Sequence, residues 1–270
     1  MADFLSDADF SKFKKLIYDS SGISFSETNR SILESRLRET LRNKKLESLD
    51  EFYKMLLTDQ KVLEEFLDAV TTNLTRFFRN IPHFETLENY VIPQLIKLKS
   101  VTKSIHIWSA GCSTGEEPFT IAMLMKRFLP PDYKFRILAS DISLKSLMVA
   151  RQGVYDESRI QGIPEDYLRE FFIQNGNSYQ VKKELMDTIN FDYHNLKNDA
   201  KRTDFDVVFC RNVLIYFDEV AQKEVVERFW RAMSPKSYLF IGHSESLFGM
   251  DTKFKFLKTD WACIYEKNEG

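Results

Sequence analysis

Five short apolar runs, SIHIWSA, KFRILASD, DTINFDYHNL, FDVVFCRN and SYLFIGHSES, punctuate the chain after Pro93, each rich in β-branched or aromatic residues and separated from the next by helical spacing. Strands alternating with helical stretches imply a parallel sheet with crossover helices, because parallel neighbours cannot be joined by a tight hairpin. Such a sheet binds ligands beyond the carboxyl ends of its strands. Every run here ends in polar residues: Ser109 to Glu117 after IHIW, Asp141 after FRILA, Asn195 after TINFDYH, Arg211 and Asn212 after VVFC, and His243, Ser244 and Glu245 after LFIG. The sheet is thus expected to gather these residues at one end.

Ahead of the sheet the pattern is different. From Phe4 to about Ala69 there is one glycine, Gly22, and no proline, and apolar residues recur at three and four positions, as in Phe10, Phe13, Ile17 and Leu33, Leu37, Leu41. That spacing is helical. A helix near residues 27–45 sets Ser31, Ser35, Arg38, Arg42 and Lys45 along one stripe, opposite its leucines. Between about Tyr155 and Lys183 the pattern breaks again, and QNGNSY reads as a hairpin turn, since Asn-Gly suits the positive φ such turns need. The expected fold is α/β: an all-α domain over residues 1–75, then a sheet domain over 76–270 with a small β insertion at about 155–190. A chain of 270 residues suffices for both.

Composition narrows the classes of function. The formal charge of −2 gives no bulk attraction to nucleic acid, and no aromatic and basic RNA-binding motif is present. The three cysteines, Cys112, Cys210 and Cys263, are far apart with no C-x-x-C pair, which argues against a zinc site or a disulfide framework. No metal is expected, and a reducing cytoplasm suits these thiols. No apolar run approaches the roughly 20 residues that span a bilayer. The opening MADFLSDADF lacks the basic and apolar regions of a secretory signal. A soluble, cytoplasmic protein is the expectation.

The turn in IHIWSAGCSTGEEP carries Gly111, Ser113 and Gly115. It departs from the dinucleotide fingerprint G-x-G-x-x-G and stands nearer the G-x-G-x-G of S-adenosylmethionine-dependent methyltransferases, with Ser113 in the middle glycine's place. Asp141 lies 26 positions beyond Gly115, where an acidic residue holds a ribose diol in nucleotide-binding sheets. It also suits the role of N-cap for a helix starting near Ser143. VTTNLTRFFRN, residues 70–80, is dense in hydroxyl, amide and guanidinium groups for a connector, although Thr71, Thr72 and Asn73 equally suit a helix cap with Phe77 and Phe78 facing the core.

TTNLTRFFRN, WSAGCSTGEEPFTIAM, ILASDIS, FDVVFCRNVLIYFD and LFIGHSESL, in this order, resemble the CheR family of chemotaxis receptor methyltransferases over nearly the whole chain. The resemblance implies a Rossmann-like methyltransferase sheet and transfer of a methyl group from S-adenosyl-L-methionine to glutamate side chains in the cytoplasmic helical bundle of chemoreceptors, with S-adenosyl-L-homocysteine as product. Sensory adaptation would be its purpose. It assigns cofactor contacts to Asn73, Thr75, Arg79, Glu116, Asp141, Asn195, Leu196, Arg211 and Asn212, beside Gly111 of the turn, and the adjacent Glu117 stays open as the alternative to Glu116, since neighbours at a helix start point differently. Arg79 is suited to the methionyl carboxylate, as a planar fork on a carboxylate, and Asn195 to an adenine edge. Arg79 and Tyr216 are the catalytic candidates, acting by alignment.

A glutamate titrates ordinarily near 4.3 and is already ionised at neutral pH. The chemistry therefore needs no general base, and His243 is read as structural. The resemblance also turns the stripe of Arg38, Arg42 and Lys45 into a docking face for the acidic methylation helices, and the β insertion into the subdomain that in some members binds a C-terminal receptor pentapeptide by strand addition. Lys236 and Ser237 stand where a Pro-Gly-Gly type turn is common, which places the departure in a surface turn. Two other readings stay open on the sequence: a related methyltransferase acting on another protein or a small carboxylate, and a non-catalytic adaptor. No direct membrane insertion is implied.

Overall fold

The computed structural model describes residues 4–71, 75–200 and 202–269. Four helices come first: α1 (Asp7–Ser21), α2 (Arg30–Lys44), α3 (Leu49–Thr58) and α4 (Gln60–Val70). Their ends follow from local chemistry. Ser6, Ser48 and Asp59 accept backbone N–H bonds as N-caps of α1, α3 and α4, and Gly22 closes α1 at φ 78°, the left-handed conformation glycine adopts at least cost. A 3-10 turn, Glu27–Asn29, leads into α2, so the helix expected over 27–45 is two elements, and Lys45 caps the second at φ 55°. Phe13, Phe52 and Phe66 are buried with ring centroids 5.1 to 6.2 Å apart, and Leu33, Leu37 and Ile17 complete this core. Each such side chain contributes about 1.5–3 kcal/mol by leaving water.

Helices α5 (Ile81–Thr86) and α6 (Ile92–Leu98) are joined by a π turn at Leu87–Val91. Pro93 sits at the start of α6, and the π turn absorbs its missing N–H, so the helix continues through the proline. The remaining elements are β1 (Ser104–Ala110), α7 (Glu116–Phe128), β2 (Lys134–Asp141), α8 (Leu144–Gln152), β3 (Val154–Asp156), α9 (Glu165–Phe171), β4 (Phe172–Asn175), β5 (Ser178–Val181), α10 (Lys183–Met186), β6 (Ile189–Tyr193), β7 (Phe205–Cys210), α11 (Glu219–Ala232), β8 (Met233–Ile241), β9 (Lys255–Lys258) and β10 (Cys263–Lys267).

Seven strands form the main sheet in the order β6-β2-β1-β7-β8-β10-β9. The first five are parallel, and β10 runs antiparallel to both β8 and β9. Alternate residues of β1 serve the two faces, Ile105 and Ile107 one core, Trp108 and Ala110 the other. The chain leaves β1 toward β2 on one side and later toward β7 on the other, so a crevice opens beyond their carboxyl ends.

Three details differ from the sequence expectation. The insertion is a three-stranded sheet, β3-β5-β4, in which Asn175 and Ser178 pair across the expected Asn-Gly hairpin. The closing pair β9 and β10 extends the main sheet beyond the five apolar runs. Lys236 and Ser237 are not in a surface turn: Lys236, at φ 56°, lies inside β8 where its register against β7 shifts, and Ser237 is buried. The positive φ of that bulge is what a glycine would accommodate more cheaply.

Candidate active site

Beyond the ends of β1, β2, β6 and β7 lies a cleft, the place where an open parallel sheet binds a small molecule. Its floor is the turn after β1. Gly111 N–H and Cys112 N–H both donate to the Ser140 carbonyl, at 2.8 and 2.9 Å, tying the turn to β2. Gly111 has φ 83°, and a Cβ there would lie 2.4 Å from Val213, so the close approach of the turn to the loop after β7 needs a glycine. Ser113 follows with φ 48°, its N–H 2.7 Å from one oxygen of Asp141.

Asp141 is buried at the end of β2, and its other oxygen accepts the Ser143 N–H at 2.8 Å. Ser143 itself is the N-cap of α8, its hydroxyl accepting from Ser146 N–H at 2.9 Å and donating to Asp68 of α4. The capping role that Asp141 could have filled thus belongs to its neighbour. Burial pushes the Asp141 carboxyl up, opposed by the Ser143 and Ser113 N–H groups.

The two adjacent glutamates separate. Glu117 faces the cleft: one of its oxygens accepts from Ser109 Oγ at 2.7 Å and the other from Arg211 Nη1 at 3.2 Å. Burial raises its carboxyl, while Arg211 and Ser109 pull the other way. Glu116, to which the resemblance gave the cofactor contact, is fully buried away from the cleft against Thr114 and Arg159. This corrects that assignment, because successive residues of a helix point about 100° apart and only one can face the ligand.

The loop after β7 supplies Arg211, Asn212 and Tyr216 to the cleft. Arg211 is buried, reaches the Arg79 carbonyl as well as Glu117, and lies over the ring of Phe84 at 5.2 Å. Asn212 takes φ 60°, and Glu245 holds this loop by accepting N–H bonds from Asn212 at 2.9 Å and Ile215 at 3.2 Å. The half-buried Tyr216 stands at the end of a 3-10 turn, Leu214–Tyr216.

Thr75 and Arg79 line the cleft from the connector, together with Arg76, while Phe77 and Phe78 turn the opposite way, Phe77 edge-on to Tyr155 and Phe172. Asn73 lies outside the described residues. Leu196 lines the cleft as expected. Asn195 does too, but its amide is bound on both sides by protein: Nδ2 donates to the Ser20 carbonyl at 2.7 Å and Oδ1 accepts the Lys197 N–H at 3.0 Å. It braces the end of α1, and one N–H and one lone pair of the amide remain beyond these two bonds.

That end of α1 is part of the wall, which sequence reasoning missed. Ser21 and Ile23 line the cleft, Ile23 bridges to Phe217, and Ser24 N–H donates to the Tyr216 carbonyl at 2.8 Å. His243 is not among the cleft-lining residues. It borders a neighbouring groove with Asn80 and His83, and burial, with Arg211 and His243 nearby, lowers His83 to about 3, so His83 is neutral.

Three polar atoms of the cleft, Ser113 Oγ, Arg211 Nε and Asn212 Oδ1, are buried with no hydrogen-bond partner among the described residues. Such atoms are costly unless a ligand satisfies them. With carboxylates of Asp141 and Glu117 and the guanidinium of Arg79 around the same space, the lining fits a ligand carrying hydroxyls, an ammonium and a carboxylate. Among the described residues no group of three or more His, Cys, Asp or Glu is placed to hold a metal, and no helix is long and apolar enough to cross a membrane.

The comparison with known families agrees with this donor set. The family model "CheR methyltransferase, SAM binding domain" matches residues 73–263, and "CheR methyltransferase, all-alpha domain" matches residues 8–71. The chain belongs to the CheR methyltransferase family. It is 38% identical over 273 residues to the chemotaxis protein methyltransferase of Borreliella burgdorferi, covering 96% of this chain and 94% of that one. It is 37% identical to the probable chemotaxis protein methyltransferase of Rhizobium etli, over 87% of this chain and 91% of that one. Its identity to the chemotaxis protein methyltransferase of Escherichia coli is 33%, over 93% of this chain and 88% of that one. S-adenosylmethionine is the cofactor of this CheR-family chain, and its fold is the expected α/β methyltransferase sheet behind an all-α domain.

Proposed function

We propose that this chain is a cytoplasmic protein-glutamate O-methyltransferase that modifies glutamate side chains in the helical bundle of chemoreceptors. The observation that carries the reading is the cleft itself, which brings together the carboxylates of Asp141 and Glu117, the guanidinium of Arg79 and the unpaired polar atoms of Ser113, Arg211 and Asn212. Two relatives named as chemotaxis methyltransferases cover most of the chain and support it. When bound, S-adenosylmethionine supplies a methyl carbon on a positively charged sulfur.

The residues then divide the work. Asp141 accepts from the ribose hydroxyls, Arg79 holds the methionyl carboxylate, and Glu117, taking the place first given to Glu116, holds the ammonium. Gly111, Arg211 and Asn212 shape the floor, Leu196 and Ile23 give apolar contact, and Thr75 closes the connector side. Tyr216 and Arg79 orient the incoming glutamate, which arrives ionised and needs no proton removed. Rate comes from alignment and from excluding water.

On this reading residues 1–75 form the receptor-facing domain, with Arg38, Arg42 and Lys45 toward the acidic methylation helices, and the three-stranded insertion is the place for a receptor C-terminal peptide. The test is transfer of labelled methyl from S-adenosylmethionine to receptor-containing membranes. Base-labile label on the receptor is expected. Label only in small carboxylates, or no transfer by a protein that binds the cofactor, favours the family-relative or adaptor alternative.

A further inference from the structure

Glu116 is buried at the first position of α7, one residue before Glu117. Thr114 Oγ1 donates to one carboxylate oxygen at 2.7 Å, and Arg159 Nη2 donates to the other and to Thr114 Oγ1. Arg159 comes from the turn after β3, where Asp156 fixes it: the Arg159 N–H lies 3.1 Å from both the carbonyl and a side-chain oxygen of Asp156. From the same segment the buried Tyr155 hydroxyl donates to the Thr114 carbonyl at 2.6 Å.

Gly115 lies between these contacts with φ 97°, and a Cβ there would come within 3.0 Å of both Tyr155 Oη and Ala150 Cβ. One short segment of the insertion therefore grips Thr114, Gly115 and Glu116, while Gly111, Cys112 and Ser113 of the same turn line the cleft. Removing one partner of a buried ion pair leaves an uncompensated charge, whereas neutralising both is far better tolerated.

We propose that Arg159 is a positioning residue for the cofactor: through Glu116 it fixes the turn after β1, which makes the three-stranded insertion a working part of the cofactor site. This rests on the reading of the cleft as that site.

The test uses the full chain, with calorimetric binding of S-adenosylhomocysteine and steady-state kinetics. Arg159→Ala weakens binding at least tenfold and raises KM for S-adenosylmethionine in step, with kcat at saturating cofactor within about twofold. Glu116→Gln alone stays within about threefold of the parent, because the amide oxygen still accepts from Arg159 and the guanidinium, with its side chain 31% exposed, keeps water. The double variant Glu116→Gln/Arg159→Ala returns to within about threefold, because no unpaired charge remains, and Arg159→Lys falls between. Where Arg159→Ala does not fold, Arg159→Lys and the double variant decide. The proposal is overturned if both Arg159 single variants bind like the parent, if Glu116→Gln weakens binding as much as Glu117→Gln, or if the double variant binds as weakly as Arg159→Ala. Unchanged binding in both Glu117→Gln and Asp141→Ala would instead sink the reading of the cleft.

Discussion

The cleft beyond the sheet and the stripe on α2 are both charged, yet they are built on opposite plans. In the cleft, Asp141 and Arg211 are buried and Glu117 is nearly so, and protein groups already fix each one before any ligand arrives. On α2, Arg38, Arg42 and Lys45 are exposed, and Arg38 pairs with Glu34 of its own helix at 2.7 Å and lies 3.9 Å over the ring of Phe4. Buried, pre-oriented charge selects one small molecule, because an ill-matched ligand leaves polar atoms unpaired. Exposed charge is screened within about 8–10 Å at physiological salt and serves mainly the rate of encounter with a partner. The two regions should therefore fail differently when altered.

The largest separation is expected from Asp141→Ala. The scale for charge-assisted hydrogen bonds, about 1.5–3 kcal/mol, predicts cofactor binding weakened by more than tenfold in a folded protein. Calorimetry with S-adenosylhomocysteine reads it, and an unchanged dissociation constant removes Asp141 from the ribose site. Glu117→Gln should follow, with a several-fold loss, since Arg211 then lacks its anion. The parent protein carries the same signature in its pH dependence. Burial holds the Glu117 carboxyl above the ordinary value, so as pH falls it takes a proton before an exposed glutamate does, and cofactor affinity drops on the acid side. In Glu117→Gln that acid limb should be shallower.

Replacing Arg38, Arg42 and Lys45 together with alanine should leave cofactor binding at the parent value. Methylation of receptor membranes at low substrate should fall several-fold, and the salt dependence should flatten. Equal rates with equal salt dependence would make the stripe a solvated face only. The smallest effect is expected from His243→Ala. Turnover at saturating cofactor should be nearly flat between about pH 6.5 and 8 in both proteins, because the proposed glutamate acceptor is ionised throughout that range. A steep rise near the histidine range, lost in the variant, would make His243 a base.

The same contrast explains what the sequence disclosed. The parallel strands, the glycine turn and Asp141 follow from periodicity and from residues that only a tight strand-to-helix turn requires. The choice between Glu116 and Glu117 does not, because it depends on Arg159, more than forty positions away, claiming one of them. Ser21 and Ile23 carried no local signal of a binding site: they reach the cleft because α1 ends at Gly22 and Asn195 and Phe217 hold the segment there. Asn195 lines the cleft as its type suggested, and its second task, bracing the end of α1, had no local signal. Lys236 was misplaced because a bulge inside a strand and a turn at its edge use similar residues. The strands β9 and β10 are short, polar and half exposed, so their alternation is weak.

The most direct test is to incubate the purified protein with S-adenosylmethionine and the cytoplasmic helical bundle of a chemoreceptor, then locate the added methyl by tandem mass spectrometry before and after mild base. The account predicts methyl groups on glutamate side chains, removed by base, and their loss in the Asp141→Ala protein at limiting cofactor. Methyl groups on lysine, arginine or asparagine side chains that survive base, or a receptor left unmodified while the cofactor is bound, would contradict it.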